Sequence, residues 1–443
     1  MKTIKKNSHL ARLVITVAIV MFLISCQKEN LKEGNSNEAG TIAADFNKNI
    51  FNHFGFSPWH LRSSGEPVSR IIGEMAEPDQ FTCYGLVYDN IGGHFTNITI
   101  THNGGLTWLA KSIPGFEDND AIGVAATKSR SVHVLGVNYV KGGGNFFRSN
   151  NGGATWNREA ANAYASPASF PDVIEFFDPQ HGVIFGDPEN GYYEIYTTSN
   201  GGNSWSRVPS GKIPAPLANE FGVPFHADAY GNTMWMIVSS VDENFNIISS
   251  RLLQSDDKGT NWYVRNPLLA FSGYDASIKF RNRSVGLYKN NGILYRTTDG
   301  GTTWNVVSYS GNWFSYDLDN IPGLPGWWIS TGGGDPGNVL SLYGFGSSIS
   351  YDDGNHWVTL DTLNHTCIDM TGPFHGYSGG ITTNSGNDGV FVYSLLPSRL
   401  SSLKEEGNTL TNNAAQLRNL TRSSGNVFIP GDKSKFLRNL KHP

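Results

Sequence analysis

The chain is short of the residues that many functional classes need. Among 443 residues it carries 16% charged side chains, and its 12 histidines are scattered, with no H-E-x-x-H pair and no paired spacing. That leaves a zinc centre without its ligand pattern. Asp242-Glu-Asn244-Phe-Asn246 opens like a calcium loop but lacks the glycine that such a loop needs at its sixth position. No metal and no cofactor is expected. Basic charge is scarce as well. The net charge is −5, and loss of the four basic residues in the first 25 positions, where there is no acid, takes it to −9. A net acidic body argues against nucleic acid as a partner. After those first residues no apolar run is long enough to hold a membrane.

Those first residues are themselves informative. Lys2, Lys5, Lys6 and Arg12 precede an apolar stretch from Leu13 to Ile24, which is too short for a mature transmembrane helix and reads as a signal peptide over 1–25. It ends in Leu23-Ile24-Ser25-Cys26, which resembles the lipobox of bacterial lipoproteins. The resemblance implies diacylglycerol on Cys26, worth roughly 0.8 kcal/mol per buried CH₂ as a membrane anchor. Gln27 after the cysteine implies an outer-membrane lipoprotein, periplasmic or surface-facing, and Lys28-Glu29 resembles surface-export signals of Bacteroidetes.

The body is a repeat. Six octapeptides share Ser or Thr first, Asp or Asn third, Gly fifth and Trp eighth: Thr101–Trp108, Ser149–Trp156, Thr198–Trp205, Ser255–Trp262, Thr297–Trp304 and Ser350–Trp357. The third position is Asn103, Asn151, Asn200, Asp257, Asp299 and Asp352 in turn. A short side chain there can accept hydrogen bonds from its own turn. The glycine can take positive φ. The tryptophan can pack between sheets from the returning strand. Asparagine cannot ionise, so its use in three of the six makes the octapeptides structural rather than catalytic. Successive starts lie 48, 49, 57, 42 and 53 residues apart, the length of a four-stranded propeller blade. A seventh unit without an octapeptide follows at Cys367–Met370, Tyr377–Ile381 and Val390–Leu395. The pattern resembles the Asp-box (BNR) repeat of sialidase-like and photosystem II assembly-factor-like propellers. The expectation is an all-β, seven-bladed propeller over 66–396, six blades with the box and one without. A polar tether over 26–65, with one short helix near Ala43–Phe54, would precede it. A basic tail over 397–443, with 8 Arg/Lys against 3 Asp/Glu, would follow it.

Enzymatic readings find little to hold. Sialidase-like propellers grip a carboxylate with three arginines, one in a Phe/Tyr-Arg-Ile-Pro motif; Ser69-Arg70-Ile71-Ile72 lacks both the aromatic and the proline. The nine arginines of the propeller (Arg130, Arg148, Arg158, Arg207, Arg251, Arg265, Arg281, Arg283 and Arg296) all map by the blade layout to the face that carries the boxes. Gly376-Tyr-Ser378-Gly-Gly380 fits G-x-S-x-G, but it falls on a strand rather than a strand-to-helix elbow. One constellation remains. Asp120, Asp172, Asp275, Asp317 and Asp369 each open an innermost strand at the opposite face, with Phe170, Tyr274, Trp313 and Tyr316 beside them. They form either an acidic funnel for a sugar, a cation or a basic peptide, or a set of backbone caps. The expected role is a non-catalytic binding or assembly module, with a protein or glycan ligand and the membrane as partners. The alternative is a glycoside hydrolase using two such carboxylates, as in Asp-box xyloglucanases. Cys83 and Cys367 fall on the first strands of the first and seventh blades. The ring makes these blades neighbours, so the pair is either a disulfide clasp or two buried thiols.

Overall fold

The computed structural model describes residues 58–89, 94–159, 162–244, 246–269, 276–333, 344–383 and 386–394. Cys26, Tyr274, Asp275, the expected helix near Ala43–Phe54 and the basic tail lie outside them. The described chain forms seven four-stranded antiparallel sheets. Their innermost strands are Arg70–Asp79, Asn119–Lys128, Pro171–Phe176, Glu220–Tyr230, Ala276–Phe280, Asp317–Asn320 and Cys367–Gly372. Each contacts the one before and the one after, and the first contacts the last, so the ring closes as a seven-bladed propeller.

The sequence of each blade follows from its place between two others. Second strands are covered on both faces, so they lose the polar alternation of a half-buried strand. Thr233–Val241, reading TMWMIVSSV, is buried at every position. The core is divided among the spaces between blades. Tyr84, Ile98 and Ile100 of the first blade, for example, pack on Ala121, Val132 and Val134 of the second.

The six octapeptides are the turns between third and fourth strands, and all six close with the same bonds. In the second blade the Gly153 N–H donates to Ser149 Oγ at 2.8 Å and the Thr155 N–H to Asn151 Oδ1 at 2.9 Å. In the fifth blade Gly301 donates to Thr297 Oγ1 at 2.9 Å and Thr303 to Asp299 Oδ1 at 3.0 Å. One acceptor oxygen suffices, which is why Asn and Asp alternate freely. Gly153 has φ +80°, and a Cβ on it would collide with Ile100 Cδ1 of the preceding blade, so both conformation and space require glycine. The tryptophan then fills the gap between blades: Trp262 lies 5.3 Å from Phe185 of the third blade, edge to face.

The seventh blade runs in the order Trp59–Ser63, Gly389–Tyr393, His375–Gly379, Cys367–Gly372. Its outermost strand therefore comes from the N-terminal side, and Trp59–Ser63, placed by the sequence in the tether, belongs to the propeller. This also explains the missing seventh octapeptide. Third and fourth strands of this blade are not contiguous in the chain, so no turn joins them. Ring closure rests on that strand and not on a disulfide. Cys83 and Cys367 are both free and buried, packed in one apolar cluster with Ile72, Tyr377 and Val392.

Trp59 is the key of the closure. Its ring sits 5.2 Å from Tyr393 and 5.1 Å from His365, and its Nε1–H donates to Ser347 Oγ of the sixth blade at 2.8 Å. Trp59→Ala should cost about 3–5 kcal/mol in urea denaturation, and Ser347→Ala about 1 kcal/mol. In the octapeptides, Asp299→Ala should cost about 1–2 kcal/mol, whereas Asp299→Asn should be close to neutral, because Asn already performs the task at positions 103, 151 and 200.

Candidate functional site

An innermost strand has a partner on one side only, so its other edge presents backbone N–H groups to the axis. A buried N–H needs an acceptor. In this ring the acceptors are acidic side chains of the preceding blade. Asp228 Oδ2 accepts from the Phe280 N–H at 2.6 Å, and Asp317 Oδ2 from Ile368 at 3.1 Å. Asp319 Oδ2 accepts from Met370 at 2.9 Å, and Asp369 Oδ2 from Glu77 at 2.6 Å. His226 Nε2 serves Ala276 in the same way at 3.2 Å.

These strands enclose an axial cavity of about 430 Å³, to which all seven innermost strands contribute, the sixth through Asp317 with its neighbour Tyr316. Among the described residues, seven carboxyl groups and two lysines line it. Lys279 stands among the acids with its ammonium 3.8 Å from Asp228 Oδ1; the side chain keeps 30% of its accessibility because the cavity admits solvent. Lys289 is held to the wall, donating to the Ser315 carbonyl at 2.7 Å.

Crowding and burial displace the protonation equilibria. Burial pushes the Glu175 carboxyl up to about 7, with Lys279 pulling it back and Asp228 and Asp369 adding to the rise. Burial likewise raises Asp228 to about 6, and Lys279 limits the rise. Glu74, Glu77, Asp319 and Asp369 are all raised, in each case chiefly by burial. Burial alone would lower the Lys279 ammonium, but Asp228, Asp319, Asp317 and Glu175 outweigh it and hold the group charged. Near neutral pH several of these carboxyl groups are therefore partly protonated around the Lys279 ammonium.

Of the residues anticipated for the funnel, Asp172, Asp317, Asp369 and Tyr316 line this cavity. Asp120 does not. It turns back to the first blade, where its carboxylate accepts from the Phe95 N–H at 3.1 Å and meets His94 Nδ1 at 3.0 Å. Phe170 is buried in the core between the second and third blades. Trp313 packs 4.9 Å from Trp357. Both aromatics are drawn from the mouth by apolar surface between blades. Asp172 is fully buried, with its carboxylate against Gly222 of the next strand. Tyr274 and Asp275 lie outside the described residues. Sequence reasoning missed Glu74, Glu77, Glu175, Asp228 and Lys279. The available signal was charge placed inside the innermost strands, where an apolar residue would otherwise be expected.

Two further features resemble catalytic equipment. Ser378, of the G-x-S-x-G match, lies 2.8 Å from His365 Nδ1, and His365 Nε2 lies 3.1 Å from Asp361. Ser378 and His365 are 0% exposed, and the serine hydroxyl donates to the Cys367 carbonyl at 2.6 Å. The ring nitrogens are reversed relative to a hydrolase triad. The arrangement is a core network under Trp59. The arginines also hold structure together. Arg148 and Arg296 bind backbone carbonyls of the next blade's octapeptide, Gly201 at 2.7 Å and Asp353 at 3.0 Å. Arg207 and Arg251 depart from the expected face: Arg207 reaches the Glu189 carbonyl, and Arg251 pairs with Glu220 at the start of its innermost strand. These long side chains run along the blade instead of ending beside their own turn.

No protein-family profile matches the chain, and no curated protein matches it in sequence. Solved structures do resemble it. YCF48 bound to a D1 peptide superposes with a TM-score of 0.50 at 15% identity, covering 77% of this chain and 98% of that one. YCF48 from Cyanidioschyzon merolae gives 0.50 at 15% identity, covering 76% and 98%. A Hadza microbial sialidase gives 0.42 at 13% identity, covering 74% and 66%. At such identities the likeness is one of fold.

The raised acids have a signature in stability. Folded Glu175 keeps its proton up to about pH 7, whereas the unfolded chain releases it near 4.5, so stability falls as pH rises through that window. Glu175→Gln should be more stable than the parent at pH 8, by on the order of 2 kcal/mol after screening in the wet cavity, and no more stable at pH 4.5. His133 tilts the other way. Burial between Phe146 and Phe176 lowers it to about 3, so stability drops as pH falls from 6.5 towards 3. Urea midpoints of parent and variant at each pH cancel the His133 effect and isolate that of Glu175.

Proposed function

We propose that this propeller is a non-catalytic binding or assembly module, anchored to the outer membrane through lipid on Cys26, with its ligand taken into the axial cavity. The observation that carries the reading is that the cavity is preformed and three of its carboxylates are already engaged. Asp228, Asp317 and Asp369 each spend an oxygen on a neighbouring blade's N–H. Groups fixed in this way suit recognition, which gains from preorganisation. They suit less well a nucleophile or base that must be free to react. The propeller fold shared with YCF48, which is seen with a D1 peptide bound, is compatible with capture of a protein segment. One observation favours the alternative of a glycoside hydrolase: Glu175, near 7, has the protonation a general acid needs at neutral pH.

Cys26→Ala should move the protein from the membrane to the soluble fraction; retention through a carbonate wash would overturn the anchor. Capture of outer-membrane proteins should fall at least tenfold with Glu175→Gln, and the parent should release no reducing sugar from a polysaccharide panel. Sugar release abolished by the same substitution would replace the binding reading with the hydrolase.

A further inference from the structure

We propose that the axial cavity is a receptor for an organic cation, an ammonium or guanidinium group on a flexible stem. The inference rests on the reading of the propeller as a binding module and names the chemistry of its ligand. Seven carboxyl groups face two lysines in the lining, and Lys289 is already committed to the Ser315 carbonyl. Lys279 is thus the projecting counter-charge among the described residues of the lining, and even the two ammonium groups together are outnumbered by the carboxyl groups.

A cluster of acids could still be purely structural, as the N–H contacts of Asp228, Asp317 and Asp369 illustrate. Two members have no such explanation for one of their oxygens. The Glu77 side chain is 0% exposed; its Oε1 is occupied by Thr371 at 2.7 Å and His375 at 2.8 Å, while Oε2 has no partner. Glu74 Oε2 is buried and equally without a partner, and both residues line the cavity. A buried acceptor left unmade costs about 1–3 kcal/mol, more when charged, so these oxygens await a donor.

The geometry selects the kind of donor. Among the described residues no group of three or more His, Cys, Asp or Glu converges tightly enough to hold a metal ion. The acceptors are spread along the cavity, which suits a group with several N–H donors. A sugar face would ask for aromatic platforms, and among the described residues the lining offers only Phe176 and Tyr316. Lys279 is the internal precedent, an ammonium on a four-carbon stem already held among these acids. Glu175 is faced by Glu74, Asp228, Lys279 and Asp369. An added cation would draw protons off Glu175 and its neighbours near pH 7.

Calorimetry on the purified full-length protein at pH 7 tests this with three probes: N-acetyl-arginine amide, spermidine and the neutral isostere N-acetyl-citrulline amide. The cations should bind and citrulline should not. Heats in two buffers of different ionisation enthalpy should differ, reporting proton release. Glu175→Gln should weaken cation binding about tenfold, and Lys279→Met should strengthen it about tenfold, since each changes the cavity by one charge. Opposite responses cannot arise from misfolding. Stronger binding of the arginine amide assigns the site to a basic side chain of a partner protein, and stronger binding of spermidine to a free polyamine. Equal binding of citrulline, or cation binding indifferent to both substitutions, overturns the inference. If no cation binds while Glu175→Gln still abolishes capture from outer-membrane extract, the cation inference falls and the binding module stands. If neither is affected, both fall.

Discussion

Everything near the axis follows from the unpaired edge of seven innermost strands. A closed ring of sheets removes the outward edge problem by stacking, but it leaves backbone N–H groups pointing to the centre. Water in a narrow channel is a poor substitute for a fixed acceptor. Here the fixed acceptor is a side chain of the preceding blade, so the contact that satisfies an edge also locks one blade to the next. Asp317 and Asp319 together fasten the sixth blade to the seventh, and Asp369 fastens the seventh to the first. The same side chains concentrate negative charge where the blades meet, and the cavity inherits its electrostatics from the way the ring is held.

The two faces divide the work. The octapeptides keep their hydrogen bonds local, and their tryptophans seal the spaces between blades. Arginines from neighbouring strands cap the carbonyls that the tight turns leave over. The N-terminal strand, from the side that carries the expected anchor site, completes the last blade.

The fold was legible because it is written six times. Four positions recurring at blade-length intervals leave no other architecture, and the count of seven followed from one further unit without an octapeptide. The closing strand was not legible. WHLRS is five residues long, its partner Gly389–Tyr393 lies more than 300 residues away, and no local signal joins them. The site was half legible. Acids at strand starts could be placed at a mouth by counting, which located Asp317 and Asp369. Counting could not tell an axial position from one turned into a neighbouring blade, and so Asp120 and Phe170 were misplaced. Glu175, Asp228 and Lys279 sit one pleat further in, where period-two alternation does not say which face is the axis.

The use of acids at the axis is itself informative, because the edge needs acceptors and not charge. An amide oxygen or an imidazole nitrogen would cap an N–H without the cost of burying a carboxylate. The chain uses that solution elsewhere. His226 caps Ala276 at the axis, and three octapeptides use Asn where others use Asp, with the same bond from the backbone N–H of the seventh position. Around the cavity it instead retains Glu74, Glu77 and Glu175 in addition to the capping aspartates, and it raises their protonation equilibria in doing so. Lys279 offsets only part of that cost. A stability requirement alone would favour neutral acceptors at these positions. What the carboxylates supply that neutral acceptors cannot is attraction for positive charge, which holds the Lys279 ammonium among them.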